Sequence, residues 1–111
     1  MEAQATAKYI RGSAQKIRLV VNLIRGKNVN EALTILRFTK KRACSEIVKV
    51  LKSAIANAEQ KAEGIDVDTL IVSKAYVNEG PRMKRVRPAP MGRAYRIQRR
   101  MSHISIHVSD N

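Results

Sequence analysis

Eight cations, Arg82, Lys84, Arg85, Arg87, Arg93, Arg96, Arg99 and Arg100, fall within the twenty-one residues from Gly80 to Arg100, GPRMKRVRPAPMGRAYRIQRR, and no Asp or Glu interrupts them. The chemistry such a segment offers is the binding of polyanion. Guanidinium groups grip phosphate through paired hydrogen bonds and stack on bases, and seven of the eight cations are Arg, which suits packing in folded RNA or a DNA groove. Charge runs are usually solvated faces. Here, however, Met83, Val86, Tyr95 and Ile97 interleave with the charge, and Pro88, Pro90 and Gly92 constrain the backbone, which a solubilising tail does not require. Tyr95 admits two readings, stacking on a base or packing across a hairpin.

A second basic group, Arg11, Lys16, Arg18, Arg25 and Lys27, surrounds a candidate first helix. Lys40, Lys41 and Arg42 stand at the expected start of a third, where cations oppose the helix macrodipole and point to an external anion, with simple solvation as the alternative. Catalytic chemistry finds no comparable support. There is no Gly-rich phosphate loop, no carboxylate pair beside a His, and no Cys and His cluster at metal spacing. His103 and His107, four apart on a strand, share a face but sit about 13 Å from each other, too far to share a metal ion, and read as solvated or phosphate-facing. Asp66 and Asp68 read as a solvated turn, because further oxygen ligands are missing nearby. Neither a metal nor a cofactor is expected, and the chain is read as non-enzymatic.

The elements that must position the cations follow from periodicity. Gln4 to Ile10 alternates as a short strand with Ala5, Ala7 and Tyr9 on one face. Ser13 offers an N-cap, Ile17, Val20, Val21 and Ile24 repeat at helical spacing from Ala14 to Arg25 with Lys16, Arg18 and Arg25 off that stripe, and Gly26 stops the helix. Asn30 is expected to cap a second helix through Ala32, Leu33, Ile35, Leu36 and Phe38. Thr39 is expected to cap a long third helix, Lys40 to Glu63, burying Ala43, Ile47, Val50, Leu51, Ala54, Ile55, Ala58 and Ala62, with Gly64 at C′. The period then changes: Thr69 to Val77 is strand-like, and Ile104, Ile106 and Val108 alternate with His103, Ser105, His107 and Ser109 as a half-buried antiparallel strand. These two strands bracket the basic segment. It therefore reads as the outer part of one long hairpin, turning between Arg87 and Gly92, with its tip roughly 20 Å or more from the globule. A two-stranded ribbon is marginal alone, so a mobile tip is expected in the free protein.

The fold class expected is α+β: three helices packed on a small antiparallel sheet, with a long basic β-hairpin arm extending from the globule. At 111 residues the chain is read as one domain, 1–111, with 80–100 as the arm. The net charge is +13, and the arm supplies +8 of it; the remaining ninety residues, where fourteen cations face nine carboxylates, carry +5. Such a field favours nucleic acid or an anionic surface as partner. Cys44, the single cysteine, excludes an intrachain disulfide and reads as a small buried helix residue. The N-terminus lacks the pattern of a signal peptide and no apolar run is long, so a cytoplasmic, soluble protein without membrane contact is expected.

Three separated stretches carry a family resemblance: SAQKIRLVVNLIRGK from Ser13 to Lys27, SAIANAE from Ser53 to Glu59, and, between Glu79 and Ile104, EGP, MKR, P, GRA, RI and SHI in order. They resemble bacterial large-subunit ribosomal proteins of the L-twenty-two family, essentially end to end. The resemblance implies a structural constituent of the large subunit that binds large-subunit ribosomal RNA, helps it assemble during translation-apparatus biogenesis, and lines the polypeptide exit tunnel with its hairpin tip. Its implied partners are that RNA, neighbouring proteins including the one of the L-four family, and the nascent polypeptide in transit; hairpin changes in the family are associated with macrolide resistance. The implied RNA-binding residues are Ser13, Gln15, Lys16, Arg18, Arg25, Lys27, Lys41, Arg42, Arg82, Lys84, Arg85, Arg87, Arg93, Arg96, Arg99, Arg100 and His103, and the implied tunnel-facing tip is Arg87, Pro88, Ala89, Pro90, Met91, Gly92 and Arg93. In one respect the chain departs: where family members commonly carry an Arg after the tip's first Pro, it has Ala89 and then Pro90. The rival from another class is an architectural DNA-bending protein, which also inserts basic two-stranded arms but works as a dimer, whereas this chain is expected to be a monomer when free. A metal-dependent nuclease using Asp66 is the enzyme alternative.

Overall fold

The computed structural model describes residues 2–88 and 94–110, with the backbone alone for 82–88 and 94–99. In chain order they form β1 (Glu2–Arg11), α1 (Ala14–Ile24), α2 (Val29–Phe38), α3 (Cys44–Lys61), a short 3-10 turn (Val67–Thr69), β2 (Ile71–Pro88) and β3 (Ala94–Ser109). The strands make one antiparallel sheet in the order β1-β3-β2, so the last strand is the central one. The α+β expectation of three helices on a small antiparallel sheet holds.

The helical stripe read from the sequence is the one buried. Ile17, Val20, Val21 and Ile24 of α1, Val29, Ala32 and Leu36 of α2 and Ile47, Val50, Leu51, Ala54 and Ala58 of α3 share one buried core with Ile104, Ile106 and Val108 of β3, and α2 packs against both other helices. α3 packs across β1 and β3, and α1 lies along β2. Small residues on both sides let α3 approach closely: Ala54 and Ala58, one turn apart, are fully buried, and Ala3, Ala5 and Ala7 are their counterparts on β1.

Four boundaries differ from the expectation. The α2 cap is Asn28, whose side chain accepts the Asn30 amide, because the Gly26 to Asn28 turn pairs with β2: the Gly26 amide donates to Val72 O at 2.9 Å and the Val72 amide to Lys27 O at 2.8 Å. Thr39 ends α2 instead of starting α3, since both its amide and its hydroxyl donate back to Ile35 O. Helix α3 accordingly begins at Cys44, after a turn, and its C-cap is Ala62, which puts Gly64, with φ +77, one position beyond C′. Ser13 does occupy the α1 N-cap position, but its side chain makes no capping bond; its carbonyl accepts the Ile17 amide at 3.1 Å.

Tyr9 is the clearest departure. The β1–β3 register shifts between Ala7 and Ile10, so Ile10, opposite Ser102, takes the inward place and Tyr9 stands 61% exposed with φ +60. The strand expected to place Tyr9 with Ala5 and Ala7 bulges before reaching it.

Candidate nucleic-acid interface

The basic segment starts where the sheet loses its third strand. β1 ends with Arg11 opposite Met101, and the Gly12 amide donates to Arg100 O at 3.1 Å while the Ser102 hydroxyl donates to Gly12 O at 2.9 Å. On the other side the β2–β3 register shifts between Glu79 and Arg82, over Gly80 and Pro81. Gly80 fits closely there: a Cβ would lie 3.1 Å from Met101 O and 3.2 Å from the His103 ring, so a larger residue would require these neighbours to give by a few tenths of an ångström. Beyond this point pairing continues through Arg82 and Arg100, Lys84 and Gln98, Val86 and Arg96, to Arg87 and Tyr95 and finally Pro88 and Ala94. Among the described residues no further strand flanks it, so this part is a two-stranded ribbon.

Register gives the ribbon an electrostatic character. Cations occupy positions of both parities along it, and Arg82 lies directly opposite Arg100. Like charges directly opposite each other destabilise a pair of strands. Of the tip named from the resemblance, Arg87 and Pro88 close β2, while Ala89, Pro90, Met91, Gly92 and Arg93 lie outside the described residues.

The second basic group is not uniform. Gln15 and Lys16 are exposed at the start of α1, where a cleft of about 160 Å³ is lined by Ser13, Ala14, Gln15, Arg18, Glu79, Arg100 and Met101. Arg18 and Arg25 are held by the protein itself. Arg18 donates through Nε and Nη2 to Val77 O at 3.0 and 2.7 Å, and Arg25 in the same way to Ala75 O at 3.0 and 2.6 Å. These are alternate carbonyls on the outer edge of β2, so α1 closes the edge that another chain's strand would otherwise find open. The opposite edge is closed likewise: Asn57 Nδ2 donates to Gln4 O at 2.8 Å and Lys61 Nζ to Glu2 O at 2.7 Å. The sequence placed Arg18 and Arg25 off the apolar stripe but missed this role. Its signal was the seven-residue spacing, with each Arg following a stripe residue, Ile17 or Ile24.

Lys27 is exposed in the turn between α1 and α2. Lys40, Lys41 and Arg42 are exposed in the connection ahead of α3, and the first turn of that helix carries Glu46 instead. The expected clash of these cations with the helix dipole is therefore lessened by the later helix start. Asp66 accepts the Asp68 amide and caps the short 3-10 turn, while Asp68 accepts from Asn30 Nδ2 at 2.8 Å. This turn tethers the start of α2.

Both histidines are built into the sheet. His103 Nδ1 accepts the Tyr9 amide at 3.1 Å, so the neutral ring carries its proton on Nε2, and the Tyr9 ring stands perpendicular to it with centroids 5.1 Å apart. His107 Nδ1 lies 3.1 Å from Glu2 Oε1, and its ring faces Tyr76 at 5.8 Å. Cys44 is buried at the first turn of α3. Among the described residues no helix is long and apolar enough to cross a membrane, and no group of three His, Cys, Asp or Glu is arranged to hold a metal ion.

Fold and charge together define a small basic α+β protein whose central strand runs on into a cationic ribbon. The family profile described as ribosomal protein L22p/L17e matches residues 5–109. Two similar chains, both described as large ribosomal subunit protein uL22, come from Solibacter usitatus, 63% identical over 110 residues that cover 99% of this chain and 97% of the relative, and from a Thermoanaerobacter species, 60% identical over 110 residues that cover 99% and 98%. A third, from Clostridium novyi and described in the same words, is 50% identical over 110 residues. The chain belongs to the ribosomal protein L22p/L17e family, whose members are structural and non-enzymatic.

Proposed function

We propose that this chain, a structural constituent of the large ribosomal subunit in the cytoplasm, binds large-subunit ribosomal RNA with a division of labour: the globule rests on the RNA and the ribbon inserts into it. The observation that carries the reading is the antiparallel pairing that continues from Arg82 and Arg100 to Pro88 and Ala94 beyond the end of β1, in a segment with eight cations and no acid. A ribbon with two Arg opposite each other and no third strand gains stability from an anionic surround, which RNA phosphates supply. The long dimension of 66 Å, against 26 and 16 Å for the other axes, supports this reading. In this reading Arg82, Lys84, Arg85, Arg96, Arg99 and Arg100 hold the ribbon in RNA, and the segment from Arg87 to Arg93 forms the end that reaches the polypeptide exit tunnel. There it would meet the nascent polypeptide and the neighbouring protein of the L-four family. Gln15 and Lys16, beside the ribbon's root, extend the contact onto the globule, and RNA gripped from both sides is drawn together during assembly.

The family turns the choice away from the DNA-bending alternative and from the nuclease. The test is retention on isolated large subunits through a high-salt wash, where a loosely adsorbed cationic protein is lost. The wild-type chain stays bound, and a variant with Arg82, Arg85, Arg87, Arg96 and Arg99 changed to Gln washes off. If that variant is retained as well as the wild type, the ribbon is not the anchor.

A further inference from the structure

All three helices cover one face of the sheet. Ala3, Ala75, Val77, Ile104, Ile106 and Val108 belong to the core beneath them, which leaves the alternate residues of the same strands on a second face. The middle rung of that face crosses all three strands: Thr6 and Tyr76 both lie opposite Ser105, and the Thr6 and Ser105 hydroxyl oxygens are 3.1 Å apart. Aromatic rings flank this polar floor, Tyr76 on one side and Tyr9 on the other, two strand spacings or about 10 Å across.

Both rings are exposed and both are held. Tyr76 is 40% exposed and packs against His107, and Tyr9 is 61% exposed with its ring perpendicular to His103 and its amide bonded to the same imidazole. Tyr9 also has φ +60, a conformation that costs an aromatic residue backbone energy. A Tyr that served only to shield His103 would not need that backbone. The bulge has the effect of presenting the ring outward while Ile10 returns to the core side. Exposed Lys8, Arg11 and Lys74 lie on these strands around the rings, with Glu2 at the far end.

We propose that this open sheet face is a stacking platform for a short unpaired RNA segment. Tyr9 and Tyr76 each take one base on the ring, the exposed Thr6 hydroxyl, held by buried Ser105, meets base or ribose edges between them, and Lys8, Arg11 and Lys74 meet the phosphates. Sheets with exposed aromatics bind single strands in this way because every base has a π-face, and the positive charge around the rings complements RNA. The proposal rests on the RNA-binding reading above and assigns it a second, chemically distinct surface.

The test titrates the full chain with a fluorescently labelled decauridylate and with an RNA hairpin duplex, following anisotropy. Changing both Tyr9 and Tyr76 to Leu is expected to weaken decauridylate binding about tenfold or more, whereas changing both to Phe, which keeps the rings, leaves it within about threefold. The salt dependence of the Leu variant stays that of the wild type, because no phosphate contact is removed. Duplex binding is unchanged. Should the double Leu variant unfold, Tyr76→Leu alone, on regular strand backbone, is expected to lose about fivefold. Decauridylate affinity that is unmoved by the Leu changes overturns the platform, and so does equal loss in the Phe variant. If high-salt retention still depends on the ribbon Arg residues, the ribbon reading survives that failure; a Leu-sensitive single-strand site with ribbon-independent retention overturns the ribbon reading alone.

Discussion

Strands β2 and β3 run through two regimes. Between Ile71 and Glu79, and again between Ser102 and Ser109, they lie under three helices, and their inward residues Val72, Ala75, Val77, Ile104, Ile106 and Val108 are nearly fully buried. From Arg82 to Pro88 and from Ala94 to Arg100 the same two strands stay in register without the third, and charge replaces the apolar alternation. The pairing resumes after the register shift, but the source of stability changes. In the first region burial holds the strands. In the second the strands pair without the helices or a third strand among the described residues, and a two-stranded ribbon is marginal in water. The protein thus invests its core in one end of a hairpin and its charge in the other, with Gly80 and Pro81 at the register shift between them.

Equivalent truncations in the two regions should part most widely. Ile106→Ala, at a fully buried position, is expected to cost about 2–5 kcal/mol in urea unfolding. Ile97→Ala, in the ribbon opposite Arg85, should stay within about 0.5 kcal/mol. Equal costs would erase the distinction. A second effect concerns how the globule's sheet is closed. Replacing Arg18 and Arg25 together by Met removes the donors to Val77 O and Ala75 O and should cost about 2 kcal/mol, at roughly 1 kcal/mol for each arginine's contact. Light scattering should also detect self-association through the opened β2 edge. A variant of wild-type stability and monodispersity would free both arginines for an external partner alone. The smallest effect is local: Asn28→Ala, which removes the α2 cap, should lower stability by about 1 kcal/mol without changing RNA retention.

The globule was largely legible in the sequence because its patterns are local. Ile17, Val20, Val21 and Ile24 announce their helix by spacing alone, and Ile104, Ile106 and Val108 announce their strand. The start of α3 is not legible in the sequence because Lys40 to Arg42 do not break a helical pattern, whereas the bonds from Thr39 back to Ile35 end α2. Asn28 and Asn30 are equally good caps in isolation; the pairing of Gly26 and Lys27 with Val72 decides between them. What was invisible is tertiary. No periodicity tells that Arg18 and Arg25 reach alternate strand carbonyls, nor that a bulge turns Tyr9 away from Ala5 and Ala7. The basic segment was legible as charge, and the register added which of its cations oppose one another.

If core and charge are divided in this way, the globule does not need the ribbon to fold. The most direct measurement replaces residues 82–99 by an Asn-Gly turn and follows thermal unfolding by circular dichroism beside the intact chain. One cooperative transition is expected, with Tm within about 4 °C of the intact protein, which corresponds to less than about 1 kcal/mol for a domain of this size. A Tm tens of degrees lower, or the loss of a cooperative transition, would mean that the ribbon helps fold the core and would contradict that division.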